Sequence, residues 1–348
     1  MQAARLAPHA KPSYPLIAVP TSAGFPDAPG LRLGPARILA ELEPSWSEVR
    51  WPRLGDLSLP AVTAAVAAAT AAAVARGAVP LVVGGDHSVA LGAVQGVRAG
   101  LRRWARRTGR TPPLPADQEA APGDVPLFLL WLDAHPDVNT PATSPTGRAH
   151  GMVLAALLGA GPLAAPEPIP ASRVVLAGAR AFDPGERQFL RARPELDVWD
   201  VELLRDHRWQ APLDDLLRRV SGAGGRLYVS LDLDVLDPAD APGVAVPEGH
   251  GALPAPLLAL LRRVRASGLL AGADVVEYYP PADKERQTSR LAASGLAALG
   301  AARPQWDDGP PGMSVAYGSP AMEGPGEAVG AGEAAETPPP LLPAVPVA

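Results

Sequence analysis

Three short segments carry six residues that could ligate a metal: Gly84-Gly85-Asp86-His87-Ser88, Asp133-Ala134-His135-Pro136-Asp137 and Ser230-Leu231-Asp232-Leu233-Asp234. In the last two, the ligand types recur at every second residue. An extended chain turns residues i, i+2 and i+4 to one side. Asp133, His135 and Asp137 can therefore converge, as can Asp232 and Asp234. Four carboxylates and two imidazoles resist being gathered unless a cation joins them, because like charges in one site repel. The set suits a pair of divalent ions with some carboxylates shared. Singly, His87 after two glycines reads as a loop histidine, and Asp133 or Asp232 as the cap of a following turn. Three such segments in one chain point to a metal site.

Each segment follows an apolar run of the kind that forms a buried strand. The pattern predicts strands at 16–19, 48–51, 80–83, 127–132, 173–177, 196–199, 226–231 and 273–277. Helical patterns lie between most of them, at 35–42, 61–75, 89–106, 151–158, 184–191, 213–220 and 254–266. Short apolar strands alternating with helices predict an α/β fold of three layers, with a roughly eight-stranded parallel sheet covered on both faces. In such sheets sites form outside the C-terminal strand ends, which is where the candidate ligands fall.

The 348 residues, 47% of them hydrophobic, suffice for one large domain. A net charge of −5 argues against nucleic acid as a partner. The absence of cysteine excludes disulfides and thiolate metal sites. Residues 1–20 lack a secretory pattern, and no apolar run reaches membrane-spanning length, so the expectation is a soluble cytoplasmic protein without membrane partners. Repeated Pro at 111–126 reads as a surface insertion, and the Pro-, Gly- and Ala-rich stretch at 303–348 as a disordered tail. Arg102, Arg103, Arg106 and Arg107 form a basic helical patch, read as a solvated helix face.

The ordered triple of Gly-Gly-Asp-His-Ser, Asp-Ala-His-x-Asp and Ser-x-Asp-x-Asp-x-x-Asp-Pro resembles the ureohydrolase family of arginase, agmatinase and formimidoylglutamase, over roughly residues 16–300. The resemblance implies a catalytic domain at 1–302 that holds two Mn²⁺ ions per subunit. By its pattern His87 and Asp137 would bind one ion, His135 and Asp234 the other, and Asp133 and Asp232 both. Asp86 would support the ligands without being one. The chemistry agrees, since oxygen-rich sites with a few imidazoles favour manganese and its neighbours. A homo-oligomer, trimer or hexamer, is also implied.

The loop from Val138 to Gly151 is most like that of true arginases, where an Asn and two hydroxyl residues bind the substrate α-carboxylate. The matching positions are Asn139, Ser144 and Thr146. Read without the family, the loop is a Ser/Thr/Pro-rich turn with incidental hydroxyls. His150 matches a proton-shuttling histidine, a role its ordinary pKa suits. Asp183, in Asp183-Pro184-Gly185-Glu186, falls where an aspartate receives the α-amino group. It reads equally as the cap of the helix starting at Pro184. Glu277 matches the glutamate that holds the guanidinium in a forked pair. The resemblance thus implies hydrolysis of L-arginine to L-ornithine and urea by a metal-bridging hydroxide.

Some positions depart from the arginase pattern. Ala181 replaces an aspartate. Tyr279 stands where a smaller polar residue is usual, which predicts an altered pocket wall. The segment from Asp240 to Gly251, with Val244-Ala245, is nearer to agmatinase and formimidoylglutamase versions, and its His250 is read as a surface loop residue. Agmatine, guanidinobutyrate or formimidoylglutamate are therefore alternative substrates on the same scaffold. A metal-binding scaffold without catalysis is the alternative from another class, and the presence of His150 and Glu277 argues against it.

Overall fold

A computed structural model describes residues 14–42, 49–50, 52, 58–109 and 125–300. The expected tail at 303–348, and the expected insertion apart from Val125 and Pro126, lie outside the described residues.

Eight parallel strands form one sheet: β1 (Leu16–Val19), β2 (Val49–Arg50), β3 (Leu81–Gly84), β4 (Leu127–Leu132), β5 (Val174–Ala177), β6 (Asp197–Trp199), β7 (Arg226–Asp232) and β8 (Leu270–Val276). Their order across the sheet is β2-β1-β3-β8-β7-β4-β5-β6. The side chains of the strands alternate between two apolar layers. Leu130 and Leu132 enter one with helices α7 (Gln210–Gly222), α8 (Pro254–Ala266) and α9 (Gln287–Leu299). Leu129 and Trp131 enter the other with α2 (Leu59–Ala75), α3 (Val89–Thr108) and α4 (Val153–Leu157). A parallel sheet buried on both faces follows from strands that are apolar on both sides. The three-layer architecture expected from the sequence is the one that forms.

Two boundaries differ in ways that bear on the site. The last strand begins three residues earlier than expected and stops at Val276, so Glu277 leaves the strand in the left-handed region with φ 64°. Helix α9 was not expected, because its Ala, Ser and Gly residues give little contrast between apolar and polar faces. It covers the sheet through Ala292, Ala293, Leu296 and Leu299. Of the basic patch on α3, Arg102 pairs with Glu167 and Arg107 donates to the Ala75 carbonyl.

The sheet order decides where chemistry can occur. Strands β3, β8, β7 and β4 are consecutive neighbours at its centre, and their C-terminal ends carry His87, Glu277, Asp232 and Asp133 respectively. Gly85 lets the β3 end approach the segment after β1. A Cβ there would lie 1.8 Å from the Thr21 carbonyl oxygen, so only glycine fits.

Candidate metal centre and substrate cavity

Around His87 Nδ1 stand three carboxylate oxygens: Asp133 Oδ2 at 3.2 Å, Asp137 Oδ2 at 3.0 Å and Asp232 Oδ2 at 3.1 Å. A second group adjoins it. His135 Nδ1 lies 2.9 Å from Asp234 Oδ2 and 3.7 Å from Asp133 Oδ1. The two oxygens of Asp133 thus face different groups, as a shared ligand requires. Asp232 faces His87 with Oδ2, while its Oδ1 accepts the Asp234 N–H at 2.9 Å. All six residues expected as ligands meet here, and two sets among them, His87–Asp133–Asp137 and Asp133–His135–Asp234, each bring their donor atoms together closely enough to hold an ion.

The orientation of His87 is fixed from behind. Tyr228, Ser230 and Asp232 alternate along β7, and Ser230 sits in register with Asp274 of β8. Ser230 donates to Asp274 Oδ1 at 2.7 Å, and Tyr228 donates to Asp274 Oδ2 at 2.6 Å. The Ser230 oxygen therefore accepts from His87 Nε2, at 2.8 Å. This assigns the proton to Nε2 and leaves the Nδ1 lone pair facing the carboxylates. Trp131 stacks on the imidazole with centroids 4.4 Å apart and donates its Nε1–H to Asp133 Oδ2.

As protein groups alone, these residues conflict. Burial pushes Asp232 far above the usual carboxylate range, and repulsion from Asp234 and Asp133 adds to it. Burial and the charge of Asp133 push Asp137 up to about 7. Burial opposes a charge on His87 and His135, yet the surrounding carboxylates hold both imidazoles above their ordinary value. His87 Nδ1 and Asp137 Oδ2 are buried without a hydrogen-bond partner among the described residues. A divalent cation with oxygen and imidazole ligands would resolve all of these at once. The residues fit such an ion.

Backbone strain marks the same place. Asp137 has φ 54° and Glu277 φ 64°, both left-handed. Such residues cost about 1–3 kcal/mol each and persist only where their surroundings hold them. Glu277 is held by its own N–H, which donates to the Gly85 carbonyl at 2.8 Å. Its Oε1 accepts the His87 backbone N–H at 2.7 Å and lies 3.2 Å from His150 Nδ1. The Glu277 charge leads the influences that raise the His150 pKa against its burial. Asp86 accepts from Ser88 N and Gly24 N, so it ties the His87 turn to the segment before Phe25. It supports the site from behind, as expected.

The centre opens into a cavity of about 400 Å³, a size suited to a small molecule. Asn139, Ser144, Thr146, His150, Asp183 and Glu277 all line it. The Ser144 Oγ accepts Gly147 N, and the Thr146 Oγ1 accepts Arg148 N. Each hydroxyl proton is left to donate to a guest. Buried Asn139 gives one amide hydrogen to Asp183 Oδ2 at 2.7 Å and accepts from Thr143. Asp183 forms a capping box with Glu186 at the start of α5 (Pro184–Arg191), the helix-capping role that the sequence offered, and it also lines the cavity. Val246 and Glu248 of the divergent segment line another part of the wall.

One expectation needs adjusting and another holds. Tyr279 does not line the cavity; it packs behind it against Phe25, Ala28 and Leu31. His250 is exposed and paired with Glu202 at 2.5 Å, as a surface residue. Glu186, unremarked in the sequence, is buried at the cavity, where it accepts from Val138 N and Asp183 N and burial pushes it up to about 7. Its signal was the Asp-x-x-Glu spacing of a capping box. No local signal announced Phe25, whose ring stacks on His150 at 4.2 Å.

The family model described as "Arginase family" matches residues 13–300. The chain belongs to the arginase family. It is therefore a hydrolase acting on guanidino or amidino compounds, with a fold and motif set that agree. Among the family's characterised members, the arginase of Bacillus caldovelox is 32% identical over 240 residues, 67% of this chain and 72% of that one. The arginase of Brevibacillus brevis is 34% identical over 237 residues, 64% and 69% of the two chains. The crystal structure of Bacillus subtilis arginase superposes on the chain with a TM-score of 0.68 at 28% identity, covering 83% of this chain and 98% of that one.

Proposed function

We propose that the protein hydrolyses L-arginine to L-ornithine and urea, using two Mn²⁺ ions. The observation that carries this reading is one cavity with a shared-carboxylate cluster on one side and carboxylate-binding donors on another. His87, Asp137, Asp133 and Asp232 would hold one ion, and His135, Asp234, Asp133 and Asp232 the other. Such ions, when bound, make hydroxide available from water near neutral pH.

The remaining chemistry falls to the protein. Glu277 pairs with the planar guanidinium and aims its carbon at the cluster. Ser144, Thr146 and Asn139 donate to the α-carboxylate, and Asp183 receives the α-amino group. His150, whose Nδ1 faces Glu277 Oε1, carries the proton that the leaving amine needs. The small hydrophobic patch at Val246 and the carboxylate of Glu248 favour a second reading, in which agmatine is the substrate.

The reading extends to a homo-oligomer, trimer or hexamer, working in the cytoplasm. No described helix is long and apolar enough to cross a membrane. Urea release by manganese-loaded protein, compared between L-arginine and agmatine and against a chelated control, tests the assignment. Faster turnover of arginine supports it, and preference for agmatine moves it to the second reading.

A further inference from the structure

One cation stands apart in an acidic cavity. Among the described residues that line it, Arg148 is the single arginine or lysine, whereas seven lining residues are Asp or Glu. Arg148 follows the two hydroxyl residues, Ser144 and Thr146, whose protons are free for a guest. Its backbone is extended, with φ −79° and ψ 133°, at the entry to the turn that carries His150. Its guanidinium lies 4.5 Å from the Phe25 ring centroid, and Phe25 in turn stacks on His150.

The present partner of Arg148 is a weak one. Nε and Nη2 both reach the same oxygen, Asp27 Oδ2, at 3.0 and 2.8 Å. The Asp27 side chain is 69% exposed. Pairs this open to solvent contribute little. Nη1 has no hydrogen-bond partner among the described residues. A planar guanidinium can offer two parallel N–H groups to a carboxylate, and beside Ser144 and Thr146 it would offset the repulsion that a guest carboxylate meets from the acidic residues of this cavity.

We propose that Arg148 is a specificity-determining residue that exchanges Asp27 for the carboxylate of a guanidino-acid substrate, beside Ser144 and Thr146. This rests on the arginine reading above and adds to it the residue that separates arginine from its decarboxylated analogue. Arg148 offers nothing to the ammonium end of the decarboxylated analogue, while the acidic groups take the cationic groups of either substrate.

The test is calorimetric titration of the metal-loaded full-length protein with L-ornithine and with putrescine, which lacks the carboxylate. The wild type binds ornithine more tightly. Arg148→Ala weakens ornithine about ten- to a hundredfold, the range for a lost hydrogen bond to a charged group. It changes putrescine affinity by less than about twofold, and Arg148→Lys recovers part of the loss. Asp27→Asn strengthens ornithine by about two- to fivefold, because the competing carboxylate is gone. Equal binding of the two ligands by the wild type, or an unchanged ornithine-to-putrescine ratio in Arg148→Ala, overturns the proposal. Neither result depends on turnover, so failure of urea release would count against the arginine reading separately.

Discussion

His87 and Glu277 are 190 positions apart in the chain, yet the His87 backbone N–H donates to Glu277 Oε1 at 2.7 Å. The residue that would hold the guanidinium is thereby registered on the turn that carries a candidate metal ligand. The same oxygen also faces His150 Nδ1. Substrate, ion and proton carrier would share one rigid reference.

Glu277→Gln is expected to separate binding of metal from catalysis. The amide oxygen can still accept from His87, so metal content measured by atomic emission should stay near the wild-type value. Loss of the charge opposite a guanidinium should lower kcat/KM at least about a hundredfold. Metal loss in parallel with activity would contradict this division of roles.

Asp133→Asn should cost both ions rather than one, because the two oxygens of Asp133 face the two histidine groups separately. The expected outcome is near-zero metal stoichiometry and no urea release. One ion retained at full occupancy would remove the shared role.

Ser230→Ala tests the support behind His87. It leaves the buried Nε2–H without an acceptor, at a cost of about 1–3 kcal/mol. Metal affinity, measured by competition with a chelator, should fall about 10- to 100-fold, while kcat at saturating metal changes less. An unaltered affinity would show that Trp131 stacking alone fixes the ring.

Metal affinity should also depend on pH in a definite direction. Burial and Asp133 raise Asp137 to about 7 in the protein alone, so below that pH the carboxyl carries a proton that an ion must displace. Affinity should therefore fall as pH drops below about 7, by up to about tenfold per unit for each proton displaced. Calorimetry in buffers of different ionisation enthalpy would reveal the released protons. A flat profile from pH 5 to 8 would contradict the assignment.

Ser144→Ala should raise KM for arginine about ten- to a hundredfold and change kcat less, since a carboxylate contact is equally strong in ground and transition states. Steady-state kinetics with arginine and agmatine would check it, and agmatine should be almost unaffected.

Much of the centre was legible because the apolar runs before Asp133 and Asp232 declare strands, and the motifs follow them. The alternation argued from spacing is not what gathers the residues, since β4 ends at Leu132 and Asp234 lies in the 3-10 turn Leu233–Val235. The sheet's central order was not legible, since which strands adjoin depends on contacts such as β3 beside β8, nearly two hundred residues apart in the chain. The same holds for Asp274. It reads as an ordinary strand residue until register places it against Ser230. Phe25 and Arg148 are loop residues whose meaning lies in a stack between distant parts of the chain. Helix α9 escaped altogether because small residues pack a helix without announcing a face.

The order of strands has one more consequence. The strands that carry the candidate ligands are interior, while β2, with two residues, and β6, with three, form the rims. Thermal fraying starts at such rims, where fewest neighbours restrain the backbone. The rims can open and re-form many times while the four central strand ends stay in register, so the reactive geometry is insulated from the molecule's most frequent excursions.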